Sequence, residues 1–198
     1  MIHFDLKKID AYYIVTVKTD ITEIGTFHRM AAIIYSLGWD VISGDLNTVI
    51  ESGIPYSLDT LKLRPTQSNN SKEIMEIGIL MDSIFSKKID YDDLVRKYKI
   101  TPPSANTFFS SRAELIFAND FEKNTTCFYM EADSREGLLY HVTKVFLGFR
   151  INIISATIET DMESQRAKDT FFLVDEEGSM FGEKPIANQI RDKILGIL

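Results

Sequence analysis

Two periodicities alternate along this chain, and they do so twice in the same order. Apolar residues at every second position mark Ile2 to Leu6, Tyr12 to Lys18, Trp39 to Glu51 and Pro55 to Leu63. They recur at Ala113 to Ala118, Thr125 to Ala132, Ile151 to Asp161 and Ala167 to Val174. Successive side chains of an extended chain point to opposite faces, so this period predicts strands. Between the second and third strand of each set the spacing turns helical: Phe27, Met30, Ile33, Ile34 and Leu37, then Leu138, Val142, Val145, Phe146 and Phe149. A second helix closes each set, with Ile74, Ile77, Met81, Ile84 and Phe85 as one stripe and Ile186, Ile190, Ile194 and Ile197 as the other. A short extra helix is expected over 91–98.

The repetition extends to single residues. Displaced by 112 positions, Gly25 falls on Gly137 and Trp39-Asp40-Val41-Ile42-Ser43 on Ile151-Asn152-Ile153-Ile154-Ser155, while Asp59-Thr60-Leu61 meets Asp169-Thr170-Phe171 after a two-residue slip. A unit of that length is a small domain rather than a solenoid repeat. Domain boundaries are therefore expected at 1–100 and 107–198, with Thr101-Pro102-Pro103-Ser104-Ala105-Asn106 as linker. Each unit reads β-β-α-β-β-α. This is an α+β fold of two ferredoxin-like domains in tandem, antiparallel sheets with helices on one face. The strand near Ile116 either closes the first sheet or opens the second; periodicity leaves both open.

Finer expectations follow from individual residues. In the long strand the middle of three inward positions is small in both copies (Ile42, Gly44, Leu46; Ile154, Ala156, Ile158), as where a helix crosses close above a sheet. Gly38 suits a left-handed helix end; Arg150, its counterpart, adopts that conformation at greater cost. Thr60, Lys62 and Arg64 make a solvated outer face on the first sheet. Phe128, Met130, Phe172 and Val174 are expected as an apolar outer face on the second, an interface covered by the first domain or another subunit.

Composition narrows the function classes. Hydrophobic residues at 44% and charged residues at 26% are ordinary for a globular chain of 198 residues, and a net charge of −7 argues against non-specific nucleic-acid binding. The one cysteine, Cys127, lies in an apolar run, reads as a buried thiol and suits a reducing compartment. The longest apolar stretches, such as Met30 to Tyr35, fall far short of the ~20 residues of a membrane span, and the N-terminus has no apolar signal core. A cytoplasmic protein is expected. No nucleophile–base motif, phosphate-binding glycine loop or metal-ligand spacing stands out, so no catalytic residue, metal or cofactor is expected.

The segments Glu136-Gly137-Leu138-Leu139-Tyr140, Arg150-Ile151-Asn152-Ile153-Ile154-Ser155-Ala156-Thr157-Ile158 and Lys168-Asp169-Thr170-Phe171-Phe172-Leu173-Val174 resemble, in order and spacing, the signature segments of the ACT domain. Gly25-Thr26-Phe27, Gly38-Trp39-Asp40-Val41 and Leu58-Asp59-Thr60-Leu61 match more loosely. The pairing is similar to the two ACT domains that end the bifunctional uridylyltransferase/uridylyl-removing enzymes of bacterial nitrogen signalling. Those enzymes' catalytic parts have no counterpart here: none of His3, His28 and His141 precedes an aspartate.

The resemblance implies a regulatory, allosteric module for a small amino acid, glutamine among the candidates, with pairing of ACT units within the chain or in a homo-oligomer such as a dimer. It places the ligand at the loop before the first helix. Carried over, one site is Asp133, Ser134, Arg135, Glu136 and Gly137 with Asn152; the other is Thr22 and Gly25 with Asp40. A helix N-terminus offers unpaired N–H groups to a carboxylate, and glycine lets a ligand approach the backbone. Each glycine equally serves a tight turn, and Asn152 a local cap. Asp59 and Asp169 read as backbone partners. The alternative is an interaction module that kept the fold and lost the ligand.

Overall fold

The computed structural model describes residues 2–66, 73–86, 88, 90–97 and 113–198; the linker expected at 101–106 lies outside them. The first unit contains β1 (Ile2–Ile9), β2 (Tyr12–Thr19), α1 (Thr26–Ser36), β3 (Trp39–Glu51), β4 (Ile54–Pro65) and α2 (Met75–Phe85), followed by the short α3 (Tyr91–Lys97). The second contains β5 (Glu114–Asp120), β6 (Thr125–Asp133), α4 (Leu138–Gly148), β7 (Asn152–Asp161), β8 (Arg166–Val174) and α5 (Pro185–Leu195). The order is the expected β-β-α-β-β-α in both halves. Neighbouring strands are antiparallel throughout, so the fold is α+β with two ferredoxin-like units in tandem. No helix among the described residues is long and apolar enough to cross a membrane.

The open question of closure resolves simply. β1 pairs with β2 and β5 with β6, so each first strand stays in its own unit. The two sheets then fuse into one eight-stranded sheet, ordered β1-β2-β4-β3-β7-β8-β6-β5, through antiparallel pairing of β3 with β7. In that junction Asp45 lies opposite Thr157, its own repeat counterpart. Gly44 faces Ile158 while Leu46 faces Ala156, so each position meets the other's equivalent. A pseudo-twofold axis therefore passes through the Asp45–Thr157 pair, the isologous arrangement of a symmetric dimer built into one chain. Both joining strands carry an irregularity at the same place, between Val41 and Ser43 and between Ile153 and Ser155.

Above the sheet, α1 and α4 pack side by side, with α2 against α1 and α5 against α4. Their buried faces and the inner faces of both sheets form one continuous core. The helix interface stacks the counterparts His28 and Tyr140 at 5.2 Å, with Tyr35 on the other side of Tyr140 at 5.8 Å. Phe128, Phe146 and Phe171 cluster beneath α4, Phe128 meeting Phe146 edge-on at 5.6 Å. Truncating a buried phenylalanine of this kind costs about 3–5 kcal/mol.

That cluster corrects the expected interface. Phe128 and Met130 are fully buried on the helix-facing side and belong to the core. In the β6–β8 register Phe128 lies opposite Phe171 and Cys127 opposite Phe172, so Phe172 shares the open face with Cys127, Tyr129 and Thr170. Val174 is buried at the strand end. Because the units join edge to edge, the first one does not cover this face; the ammonium of Lys123 lies 3.8 Å from the Phe172 ring centre. Cys127 is half-buried rather than buried, and burial pushes its thiol pKa up.

The helix ends follow the expectation for Gly38, and Arg150 adopts the same conformation despite its side chain. Gly38 ends α1 with φ +79°, and Arg150 ends α4 with φ +56°, each bonding the carbonyl three residues back (Gly38 N to Tyr35 O at 3.0 Å, Arg150 N to Leu147 O at 2.9 Å). Repetition of the turn outweighs the steric cost of a side chain there.

Candidate ligand cavity between the two units

Fusion through β3 and β7 decides which residues meet. Thr19 at the end of β2 lies opposite Ser57 of β4, and Ser57 opposite Thr48 of β3. The Thr48 hydroxyl donates to the Ile154 carbonyl of β7 at 2.9 Å, so one end of the sheet runs from the loop after β2 straight to the start of β7. Over this row opens a cavity of about 170 Å³, lined by Thr22, Glu23 and Gly25 of the loop, Asn47, Thr48, Ser57 and Asp59 of the first sheet, and Asn152 to Ile154 of the second unit. His28, Thr143, Phe146 and Leu147 supply its roof.

The pseudo-twofold axis produces a second such place, and it is nearly closed. Its cavity is about 10 Å³, lined by Ser134, Arg135, Leu138 and Leu139 with Asp40, Val41, Thr160 and Asp169. The grouping drawn from the sequence is thus exchanged. Asn152 lies with Thr22 and Gly25, whereas Asp40 lies with Ser134 and Arg135. Asp133 lines neither cavity and pairs with Arg166 at 2.7 Å. Glu136 lines neither as well; its charge acts on Tyr35 and Asp40.

Both glycine turns are left-handed, Gly25 at φ +86° and Gly137 at φ +75°, a conformation that L side chains rarely adopt. Each is also covered by the opposite helix. A Cβ on Gly25 would meet Leu147 Cδ1 at 2.8 Å, and one on Gly137 the Tyr35 ring at 2.6 Å. Tyr35 and Leu147 are themselves counterparts. Each glycine therefore permits both the turn and close packing of the helix pair.

In the closed cavity the N-terminus of α4 already has an anion. Asp40 is buried, its Oδ1 accepts the Gly137 N–H at 3.4 Å, and its Oδ2 accepts from Arg64 at 3.3 Å. Burial pushes its pKa up to about 6, against the pull of Arg64 and the Gly137 amide. Arg135 is held by the carbonyls of Ile197 and Leu198, next to the chain end. The open cavity has neutral Asn152 at the position of Asp40 and Glu23 at that of Arg135.

Asp59 and Asp169 floor the two cavities. Asp169 accepts the Glu159 amide at 3.3 Å, and Asp59 accepts from the Asn47 amide and, at 2.9 Å, the Ser57 hydroxyl. Burial raises Asp59 to about 6 and Asp169 to about 7. Ser57 is replaced by Ala167 in the second unit, which removes one donor and accounts for the higher value.

His28 connects this site to α3. Its Nδ1 lies 3.0 Å from the Thr143 hydroxyl, which donates to the Leu139 carbonyl; its Nε2 lies 2.7 Å from the Tyr91 hydroxyl. Thr143 having given its proton away, Nδ1 donates, and with the ring neutral Nε2 accepts from Tyr91. Burial, then the charges of Lys144 and Arg29, lower its pKa to about 4. Sequence reasoning missed His28, Asn47 and Ser57 as cavity residues. Repetition of Asp59 as Asp169 was the one signal pointing to this floor.

These residues offer hydrogen-bond donors, acceptors and carboxylates, and no group of three or more histidine, cysteine or acidic side chains among the described residues is placed to hold a metal. The chain is similar to bifunctional uridylyltransferase/uridylyl-removing enzymes: 23% identical over 151 residues to that of Pseudomonas savastanoi pv. phaseolicola, covering 74% of this chain and 16% of the relative. With that of Azospirillum brasilense it shares 21% over 178 residues, 88% of this chain and 18% of the relative. The chain thus spans about one sixth of the length of these relatives. An aspartate kinase from Synechocystis superposes with a TM-score of 0.45 at 10% identity, over 93% of this chain and 26% of that one. No protein-family model matches. Sequence and structure together describe a tandem of two ACT-like units, fused about a pseudo-twofold axis and similar to a short part of the bifunctional uridylyltransferase/uridylyl-removing enzyme.

Proposed function

We propose that this chain is a non-catalytic regulatory module that binds one small amino acid, or a metabolite with the same carboxylate and ammonium pair, in the cavity between its units. The observation that supports this most is the cavity itself: about 170 Å³, contributed by both halves, with the left-handed Gly25 turn at the start of α1 on one side and Asn152 on the other. The amides at that helix start suit a carboxylate; Glu23, Asp59 and the side-chain carbonyls of Asn47 and Asn152 suit an ammonium. Glutamine is among the candidates, given the resemblance to enzymes of nitrogen metabolism.

A ligand held by both halves stabilises their present arrangement by the difference in its affinity for that arrangement and any other. β1 and β5, the edge strands among the described residues, leave room for homo-oligomer formation, and the cytoplasm is the compartment we assign. A second reading, a scaffold without ligand, draws on the packing of Leu147 and Tyr35 over the two turns.

A thermal-shift and calorimetric screen of the twenty amino acids against wild type and Asn152→Ala separates the two. The sensor reading expects one amino acid to raise the wild-type melting temperature, with affinity about tenfold weaker in N152A, the effect of one lost hydrogen bond. Silence from all twenty at millimolar concentration leaves the scaffold.

A further inference from the structure

The closed cavity carries an inference that deepens the reading just given and rests on it for the equivalence of the two places. We propose that Asp40 is an intramolecular ligand: its carboxylate occupies against α4 the position a bound carboxylate takes against α1, limiting the chain to one small-molecule site. The comparison is made residue by residue across the pseudo-twofold axis. Asp40 and Asn152 are counterparts, as are Gly137 and Gly25, and each pair is assembled across the junction of the units. Where the amide Asn152 stands, about 170 Å³ is free; where the carboxylate Asp40 stands, about 10 Å³ remains.

Asp40 has the contacts expected of such an occupant. It is buried, reaches from β3 of one unit to the helix start of the other, takes the Gly137 N–H at 3.4 Å, and has Arg64 at 3.3 Å as counter-charge. A second carboxylate arriving there would meet a like charge and no remaining space. Tyr35, over Gly137, and Arg135, tied to the chain's last carbonyls, complete the closure.

Removing the side chain should leave a place shaped for a small carboxylate. Sodium formate is the probe, titrated to the order of 100 mM against sodium chloride of equal ionic strength, so that a weak ligand still stabilises the folded state measurably. The Asp40→Ala variant should melt several degrees below wild type, and formate should restore a substantial part of that loss. Wild type and N152A, in which only the open cavity can take formate, should shift clearly less than D40A does. Equal formate shifts in D40A and wild type, or none in D40A, overturn the proposal. Should D40A not fold in chloride, its refolding yield decides in the same way: recovery in formate supports the proposal, and no recovery overturns it. No amino acid enters this assay, so its result stands apart from the twenty-ligand screen. Where that screen finds a ligand, calorimetry should count one molecule per wild-type chain; two per chain also overturns the proposal.

Discussion

The two halves share a backbone plan and differ in a handful of side chains, and those few decide which half keeps an open cavity. Asn152 against Asp40, Ser57 against Ala167, Glu23 against Arg135 and Leu147 against Tyr35 are the exchanges around the two equivalent places. None touches the strand order, the helix pairing or the β3–β7 junction. The repeat supplies a symmetric frame, and individual exchanges leave one of its two equivalent places open and the other nearly closed. The half whose loop matches the ACT pattern better, with Glu136-Gly137-Leu138, is the closed one, because the strand facing that loop comes from the other unit.

The largest expected effect tests the glycine turns. Gly137→Ala should cost about 2–4 kcal/mol in urea denaturation, from positive φ plus a Cβ driven into the Tyr35 ring, which is stacked on Tyr140 and cannot easily withdraw. Gly25→Ala should cost less, about 1–2 kcal/mol, because its obstacle is one terminal methyl of Leu147, which has rotamers to yield with. Equal losses would show that backbone strain alone matters and that the packing difference between the halves is without consequence.

These turns were legible in the sequence as a repeated glycine ahead of a helical period, as were the order of elements and the span of β3. Amphipathic period survives folding because it records which face meets the core. The face of β6 was not legible. Cys127 and Tyr129 alternate with Phe128 and Met130, both sets apolar enough to be inside, and only packing against Phe146 and Phe171 selects one. The composition of the cavities was not legible either. It depends on β3 pairing with β7, a contact between residues more than a hundred positions apart that leaves no local pattern.

A second, smaller effect separates the cavity floors by pH. Asp169 has its folded pKa raised from 3.8 to about 7 and Asp59 from 3.8 to about 6, both by burial. The folded chain therefore holds protons that the unfolded chain releases. The stability this contributes is complete below about pH 4 and is lost as pH rises, by about pH 6 for Asp59 and about pH 7 for Asp169. Between pH 5 and pH 8, Asp169→Asn should accordingly gain on wild type more than Asp59→Asn does. The excess is on the order of 1 kcal/mol, the worth of about one pKa unit. Denaturant titrations of the three proteins at both pH values measure it. Equal gains would mean that Ser57 and the open cavity leave Asp59 no better accommodated than its counterpart.

The smallest effect concerns the helix ends, where the halves differ in residue but not in conformation. Arg150 holds φ +56° where Gly38 holds +79°. A side chain in the left-handed region costs about 1–2 kcal/mol, while glycine costs about 0.5–1 kcal/mol through the freedom of the unfolded chain. Arg150→Gly should therefore stabilise, by about 0.5 kcal/mol net. Its ion pair with Glu176 is exposed on both sides and subtracts little. Gly38→Ala should destabilise, since its carbonyl also accepts the backbone N–H and hydroxyl of Thr66, at 2.9 and 3.0 Å, and any shift of that turn disturbs both bonds. Opposite signs in paired thermal melts would identify Arg150 as a residue tolerated by a frame the duplication had already fixed. If R150G instead destabilises, the contact with Glu176 matters more than the strain, and the second unit has acquired a helix end of its own.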